Sequence, residues 1–184
     1  MDKAKENTSN RILYIIDHWS GQTDPTLYEA FKKNDTLLQT EFVPEKTTAH
    51  CQPLDTFFNR QLKYLGRKIC NFAMVHQSRN GNAEKLVDRN SILKMQSLIH
   101  FLLSAPVFSN MIKHSWFQAG LTKENPPFMN AFNICFKIMN SSCAFSECNT
   151  IPFINCSWCR KELCYEHFYI DDHMMVCELG PYAN

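Results

Sequence analysis

The sequence predicts an α/β region that runs into a helical extension and closes on a small metal-binding tail. Three observations predict it. Arg11–Asp17 (RILYIID) is a short apolar run closed by an acid, the pattern of a buried strand that delivers a carboxylate to its C-terminal edge. Amphipathic segments at helical spacing fill the middle of the chain. Six of the nine cysteines and two of the seven histidines fall within Cys143–Cys177. The implied partition is 1–78, 79–140 and 141–184.

Residues 1–10 form a polar lead without periodicity. After the first strand, His18–Asp24 reads as a loop, and Pro25–Lys33 as a short helix capped by Asp24. Leu37–Val43 (LLQTEFV) reads as a second strand ending at Pro44. Two strands joined by a helix make a unit whose expected pairing is parallel. The stretch Thr47–Lys63 (TTAHCQPLDTFFNRQLK) then turns through Gln52-Pro53-Leu54-Asp55 into a helix, because proline is tolerated at the first helical position. Asp55 falls in the first turn, where an acid complements the helix dipole. Asp17 at a strand end and Asp55 at a helix start can meet around a hard divalent cation such as Mg²⁺. Each acid also has an ordinary local explanation, as a turn residue and as a helix-start residue.

The helix from Pro53 is expected to run to about Met74. Phe57, Phe58, Leu62, Leu65, Ile69 and Phe72 form its core stripe, with Asn59 one turn from Asp55. Arg60, Lys63, Arg67 and Lys68 form a basic face, which is either an ordinary solvated surface or a DNA-phosphate contact. Residues 77–90 read as a polar linker with a turn at Asn80-Gly81. Ser91–Phe101 reads as a helix capped by Ser91, interrupted at Pro106. Phe108–Ala119 reads as a second helix stopped by Gly120, with Met111, Ile112, Trp116 and Phe117 as core. His100 and His114 lack partners at ligand spacing and are assigned structural roles. Thr122–Ala131, broken by Pro126-Pro127, reads as a loop.

The chain of 184 residues is 45% hydrophobic with a formal charge of +1, so any nucleic-acid contact must come from local patches. No apolar run reaches the ~18 residues that span a bilayer, so no membrane partner is expected. The N-terminus lacks the apolar stretch of a signal peptide. Cysteines without an export signal point to reduced thiols or metal ligands in a nuclear or cytosolic protein.

The words IID-H-W-S-G and VPEKTTAHCQPLDTFFNRQLK resemble the DDE-type transposases related to mariner, pogo and Tigger elements. On that resemblance Asp17 matches the second catalytic acid and Asp55 the third, with 37 residues between them. It implies the C-terminal portion of a ribonuclease-H-like fold, Mg²⁺ or Mn²⁺ as catalytic cofactor, DNA as partner, self-association as in transposase assemblies, and a nuclear location. It also implies three strands upstream, the first carrying the first acid. The only acids before Asp17 are Asp2 and Glu6, both in the polar lead. With two carboxylates instead of three, the chain alone is expected to be inactive: a truncated element, a partial gene product or a domesticated remnant.

In the tail, Cys156-x2-Cys159-x4-Cys164-x2-His167 gives two knuckle-like pairs of the donors that tetrahedral Zn²⁺ takes. Only four residues separate the pairs, so a single site is cramped and a cross-braced double site relieves it. Cys143 and Cys148 would join Cys164 and His167, while Cys156 and Cys159 would take His173 and Cys177. The run C-x2-C…L-C-x2-H-F…H resembles the cysteine-rich C-terminal domain of piggyBac-type transposases, which interleaves its pairs in this way. The first pair here is spaced by four residues rather than two. A tail of ~35 residues is too small for its own core, so metal is expected to supply its folding energy. The functional alternatives are a transposase fragment inactive as this chain, a zinc-dependent DNA- or protein-binding module, and an interaction protein completed by a partner's strands.

Overall fold

The computed structural model describes residues 11–24, 26–28, 37–44, 46–80 and 88–182. It is a mixed structure of helices and two small sheets. The polar lead, most of the helix expected over Pro25–Lys33, and Gly81 of the expected turn lie outside the described residues. Of that helix, Thr26–Tyr28 forms one 3₁₀ turn, and the Asp24 carboxylate accepts from the Thr26 N–H at 2.9 Å and from its hydroxyl at 2.7 Å.

Strands β1 (Arg11–Ile16) and β2 (Leu37–Phe42) pair in parallel, with Arg11 opposite Leu37 and Ile16 opposite Phe42. The ladder continues one step, the Val43 N–H donating to the Ile16 carbonyl at 2.8 Å. Ile16 and Val43 are buried at this end, whereas Ile12, Leu13 and Tyr14 are each about half exposed. Successive strand residues face opposite sides, so both faces of β1 are open.

After the short helix α1 (Thr48–Cys51), Pro53 adopts helical dihedrals and leads through one π-helical turn, Leu54–Phe58, into α2 (Asn59–Asn80). The helix therefore outruns its expected end at Met74 and absorbs the start of the expected linker. The sequence from Val75 to Asn80 holds neither proline nor glycine to stop it. Helix α3 (Arg89–Leu103) is capped by Asp88 rather than Ser91: its carboxylate accepts from the N–H groups of Asn90 and Ser91 and from the Ser91 hydroxyl at 2.6 Å. Asp88 and Ser91, three residues apart, are both cap-competent, and the acid accepts more bonds. Pro106–Phe108 forms a 3₁₀ turn running into α4 (Ser109–Gln118), which stops at Gly120 with φ 72°. The expected loop ends in a further short helix, α5 (Ala131–Cys135), capped by the Asn130 side chain.

Of the apolar stripe on α2, Leu65 and Ile69 are fully buried and Phe57, Phe58 and Leu62 pack against the core, but Phe72 is 46% exposed. Met111 is buried, while Ile112 is more than a third exposed. α2 and α3 meet closely at Gly66, where a Cβ would lie 3.2 Å from Ile99 Cδ1. His100 is exposed; His114 is buried, its Nδ1 2.8 Å from the Asn125 side-chain oxygen.

One hydrophobic core joins these helices to the cysteine-rich tail. Leu65, Ile69, Leu98, Phe101 and Leu102 share it with Phe153, Ile154, Leu163 and Phe168. The tail thus draws on apolar burial by the helices as well as on its own chemistry. Among the described residues no single helix is long and apolar enough to cross a membrane.

Candidate metal centres

The tail is built around a two-residue-per-strand hairpin, β3 (Ile154–Asn155) against β4 (Glu162–Leu163), with Ile154 opposite Leu163. Such strands are too short to hold themselves. The turn between them is closed by the Cys156 N–H to the Lys161 carbonyl and the Arg160 N–H to the Cys156 carbonyl, each at 2.9 Å. It presents Cys156 and Cys159 on one side. Arg160 has φ 64°, as does Glu147 just before Cys148, and Asp172 just before His173 has φ 53°. Each left-handed non-glycine residue costs about 1 kcal/mol or more and persists only where its surroundings impose it. Here all three sit beside a cysteine or histidine of the tail.

Two anchors tie the hairpin turn to the helices. The Ser157 hydroxyl donates to the Leu102 carbonyl and the Trp158 indole N–H to the Phe101 carbonyl, both at 2.6 Å. Both carbonyls belong to the last turn of α3, where the Leu102 carbonyl also accepts from the Ala105 N–H at 3.3 Å and the Phe101 carbonyl from the Ser104 hydroxyl at 3.0 Å. Buried Glu162 accepts from the Met139 N–H at 2.9 Å and the Asn140 N–H at 2.7 Å, fixing the segment before Cys143. The Ala144 N–H donates to the Glu162 carbonyl and the Cys143 N–H to that of Thr150. Beyond β4, Glu166–Ile170 makes a π-helical turn that carries His167, and α6 (His173–Val176) carries His173.

These elements bring the eight tail residues into two groups, Cys143, Cys148, Cys164 and His167, and Cys156, Cys159, His173 and Cys177. Within each group the donor atoms all lie within 4.8 Å of one another. The pairs are interleaved along the chain: Cys156 and Cys159 lie apart from Cys164 and His167. A tetrahedral zinc with Zn–S ~2.3 Å and Zn–N ~2.0 Å has S···S edges of ~3.8 Å and S···N edges of ~3.5 Å. Cys148 and Cys164 Sγ are 3.9 Å apart, as are Cys156 and Cys177. His167 Nδ1 lies 3.4 Å from Cys143 Sγ and 3.2 Å from Cys164 Sγ, and His173 Nε2 lies 3.4 Å from Cys159 Sγ. Three thiols and one imidazole at those separations fit Zn²⁺ and could hold one ion in each group.

The electrostatics point the same way. Crowded thiols cannot all ionise against one another. Hydrogen bonding from Cys156 brings Cys159 down to about 3, while hydrogen bonding to Cys159 and burial push Cys156 up. In the other group burial pushes Cys164 up to about 12. A bound dication removes that conflict, because it stabilises every thiolate at once. Around the ligands, Asp171 Oδ2 lies 3.9 Å from His167 Nε2, the free side of a ring whose Nδ1 faces the thiols. The His173 Nδ1 is buried without a hydrogen-bond partner, so that ring's polar contact is through Nε2.

The other residues singled out by sequence are placed as follows. Asp17 directly follows β1 and is half-buried, and Asp55 sits exposed in the first turn ahead of α2, accepting from the Asn59 amide at 2.8 Å. Among the described residues, the groups of three or more metal-capable side chains are the two Cys/His sets, and neither contains Asp17 or Asp55. Arg60, Lys63, Arg67 and Lys68 are all exposed. Sequence reasoning missed Ser157, Trp158 and Glu162. Nothing in their spacing marks them; Asp171 was missed as well, although its place four residues after His167 is a signal that could have found it. Cys51, Cys70 and Cys135 stand outside both groups, and burial pushes Cys135 up to about 12, an inert core thiol.

Residues 116–177 match the family model described as Tc5 transposase C-terminal domain. The match begins near the end of α4 and closes on Cys177, so it takes in all eight clustered residues. Neither a curated protein nor a solved structure matches the chain.

Proposed function

We propose that this chain, which carries a transposase-related domain over residues 116–177, is a zinc-dependent DNA-binding module descended from a DDE-type transposase. The observation that carries the reading is the sorting of eight interleaved donors into two sets, the atoms of each within 4.8 Å of one another. Two zinc ions would order the tail 141–184, whose core and Ser157 and Trp158 anchors then pack it on the helices, and the basic face of α2 would be presented to DNA phosphates. Arg60, Lys63, Arg67 and Lys68 supply that contact, and the protein works in the nucleus, self-associating as transposases do. The cross-braced pairing supports the likeness to piggyBac-type tails.

A second reading, of catalysis by descent, is favoured by one observation: Asp17 directly follows a parallel strand and Asp55 opens a helix. Parallel sheets are normally covered on both faces, and the half-exposed Ile12, Leu13 and Tyr14 support β1–β2 as part of a larger ribonuclease-H-like sheet within 1–78. Two carboxylates fall short of the three that position two Mg²⁺ or Mn²⁺ ions, so this chain by itself does not cleave DNA.

One experiment tests both readings. Duplex DNA is titrated with the chain before and after chelation, then incubated with Mg²⁺ or Mn²⁺. The expected results are binding that is lost on chelation and restored by zinc, weakens steeply with salt, and produces no nicking. Binding that is indifferent to chelation overturns the zinc-dependent module. Metal-dependent nicking abolished by Asp55→Ala overturns the inactivity.

A further inference from the structure

Helix α2 carries an unbalanced charge. Between Asn59 and Asn80 stand Arg60, Lys63, Arg67, Lys68 and Arg79 with no Asp or Glu, and residues 128–142 add Lys137 and again no acid. The whole chain is only +1, so this cation excess is local. At ~3.6 residues per turn, Arg60, Arg67 and Asn71 fall along one line of α2, with Lys68 to the side.

On that side lies an open groove of about 430 Å³ lined by Lys68, Asn71, Phe72, Phe132, Phe136 and Phe153. Phe72 and Phe132 are each 46% exposed, aromatic rings that the fold leaves half open. The Phe72 and Phe153 rings are 4.6 Å apart at an angle of 31°, and Tyr64 backs Phe132 and Phe136 edge-on. Lys68 Nζ lies 5.8 Å from the Tyr64 ring, where the cation is held beside the aromatic wall.

Contact with duplex phosphates needs the cations alone, and stacked bases cannot reach an aromatic slot. An unstacked base can, because its flat apolar face matches phenyl walls and its polar edge matches an amide such as Asn71. We propose that this groove takes an unstacked base of single-stranded DNA, with the adjoining phosphates carried by Arg67 and Lys68. The proposal rests on the DNA-binding reading above and specifies the form of DNA. An acidic peptide would satisfy the charge, but it gives no reason for four phenyl rings beside an amide.

The test is anisotropy titration of the zinc-loaded full chain with labelled oligothymidine and with a blunt duplex of the same length. The single strand is expected to bind more tightly. Phe132→Ala should weaken it about tenfold while leaving duplex affinity and zinc content unchanged, and Phe132→Trp should restore it. Phe72→Leu, which keeps apolar volume but removes a ring, should give the same strand-selective loss even if Phe132→Ala does not fold. Equal losses on both DNAs, no loss with zinc retained, or tight binding of a tryptophan-containing acidic peptide in place of oligothymidine overturns the groove proposal while duplex binding stands. Failure to bind either DNA overturns the DNA-binding reading itself.

Discussion

The two ligand groups have the same chemistry, three thiols and one imidazole, but differ in what surrounds them. Cys156, His173 and Cys177 are essentially buried, and their hairpin turn is pinned to the end of α3 through Ser157 and Trp158. The other group takes Cys143 and Cys148 from a loop. Each group has one partly buried cysteine, Cys148 here and Cys159 there, and the burial differs at the histidine, the His167 side chain being 23% exposed. An ion in the inner group would tie the hairpin turn to α6, whereas one in the outer group would tie the loop carrying Cys143 and Cys148 to the core around Cys164. The difference teaches that identical donor sets can have unequal structural consequences, decided by the elements each joins.

The sharpest way to break this comparison is to remove one ligand from each group. Apparent zinc-binding energies of ~10–16 kcal/mol in small sites match or exceed the ~5–15 kcal/mol stability of a whole domain. Cys177→Ser should therefore lose one zinc and with it the cooperative unfolding transition. Cys148→Ser should also lose one zinc but keep a cooperative transition, with faster hydrogen exchange confined to about residues 141–150. Thermal unfolding paired with metal counting distinguishes them, and equal damage from both would abolish the distinction.

A smaller effect is expected from the anchor. Trp158→Phe removes one of two donors to the Phe101 carbonyl, the Ser104 hydroxyl remaining, and should cost ~0.5–1.5 kcal/mol in urea unfolding without loss of zinc. The smallest concerns the outer group alone. Asp171→Asn should weaken one of the two zinc affinities, at the lower end of the ~10–100-fold typical of ligand-orienting acids, because its carboxylate stands 3.9 Å from His167. Competition with a chromogenic chelator reads it as one weakened site and one unchanged.

The sorting of the tail's cysteines and histidines into two clusters able to hold a metal ion was legible in the sequence, because knuckle spacing is local and four intervening residues make a single site cramped. The parallel order of β1 and β2 was legible for a similar reason, since an intervening segment long enough for a crossover favours it. What escaped depended on distant partners. Phe72 sits at core spacing on α2, yet the neighbours that decide its exposure are Phe132, Phe136 and Phe153, far along the chain. The tail was read as too small to own a core, but its Phe153, Leu163 and Phe168 share one with α2 and α3. Asp88 and Ser91 were both competent to cap, and only the bonds formed decide between them.

The most direct test of cross-bracing is the zinc count of the intact chain by native mass spectrometry. The two interleaved groups predict two zinc ions per chain, falling to one in Cys177→Ser and to one in Cys148→Ser. A wild-type chain that holds a single zinc, retained in both variants, would contradict them and return the site to Cys156, Cys159, Cys164 and His167.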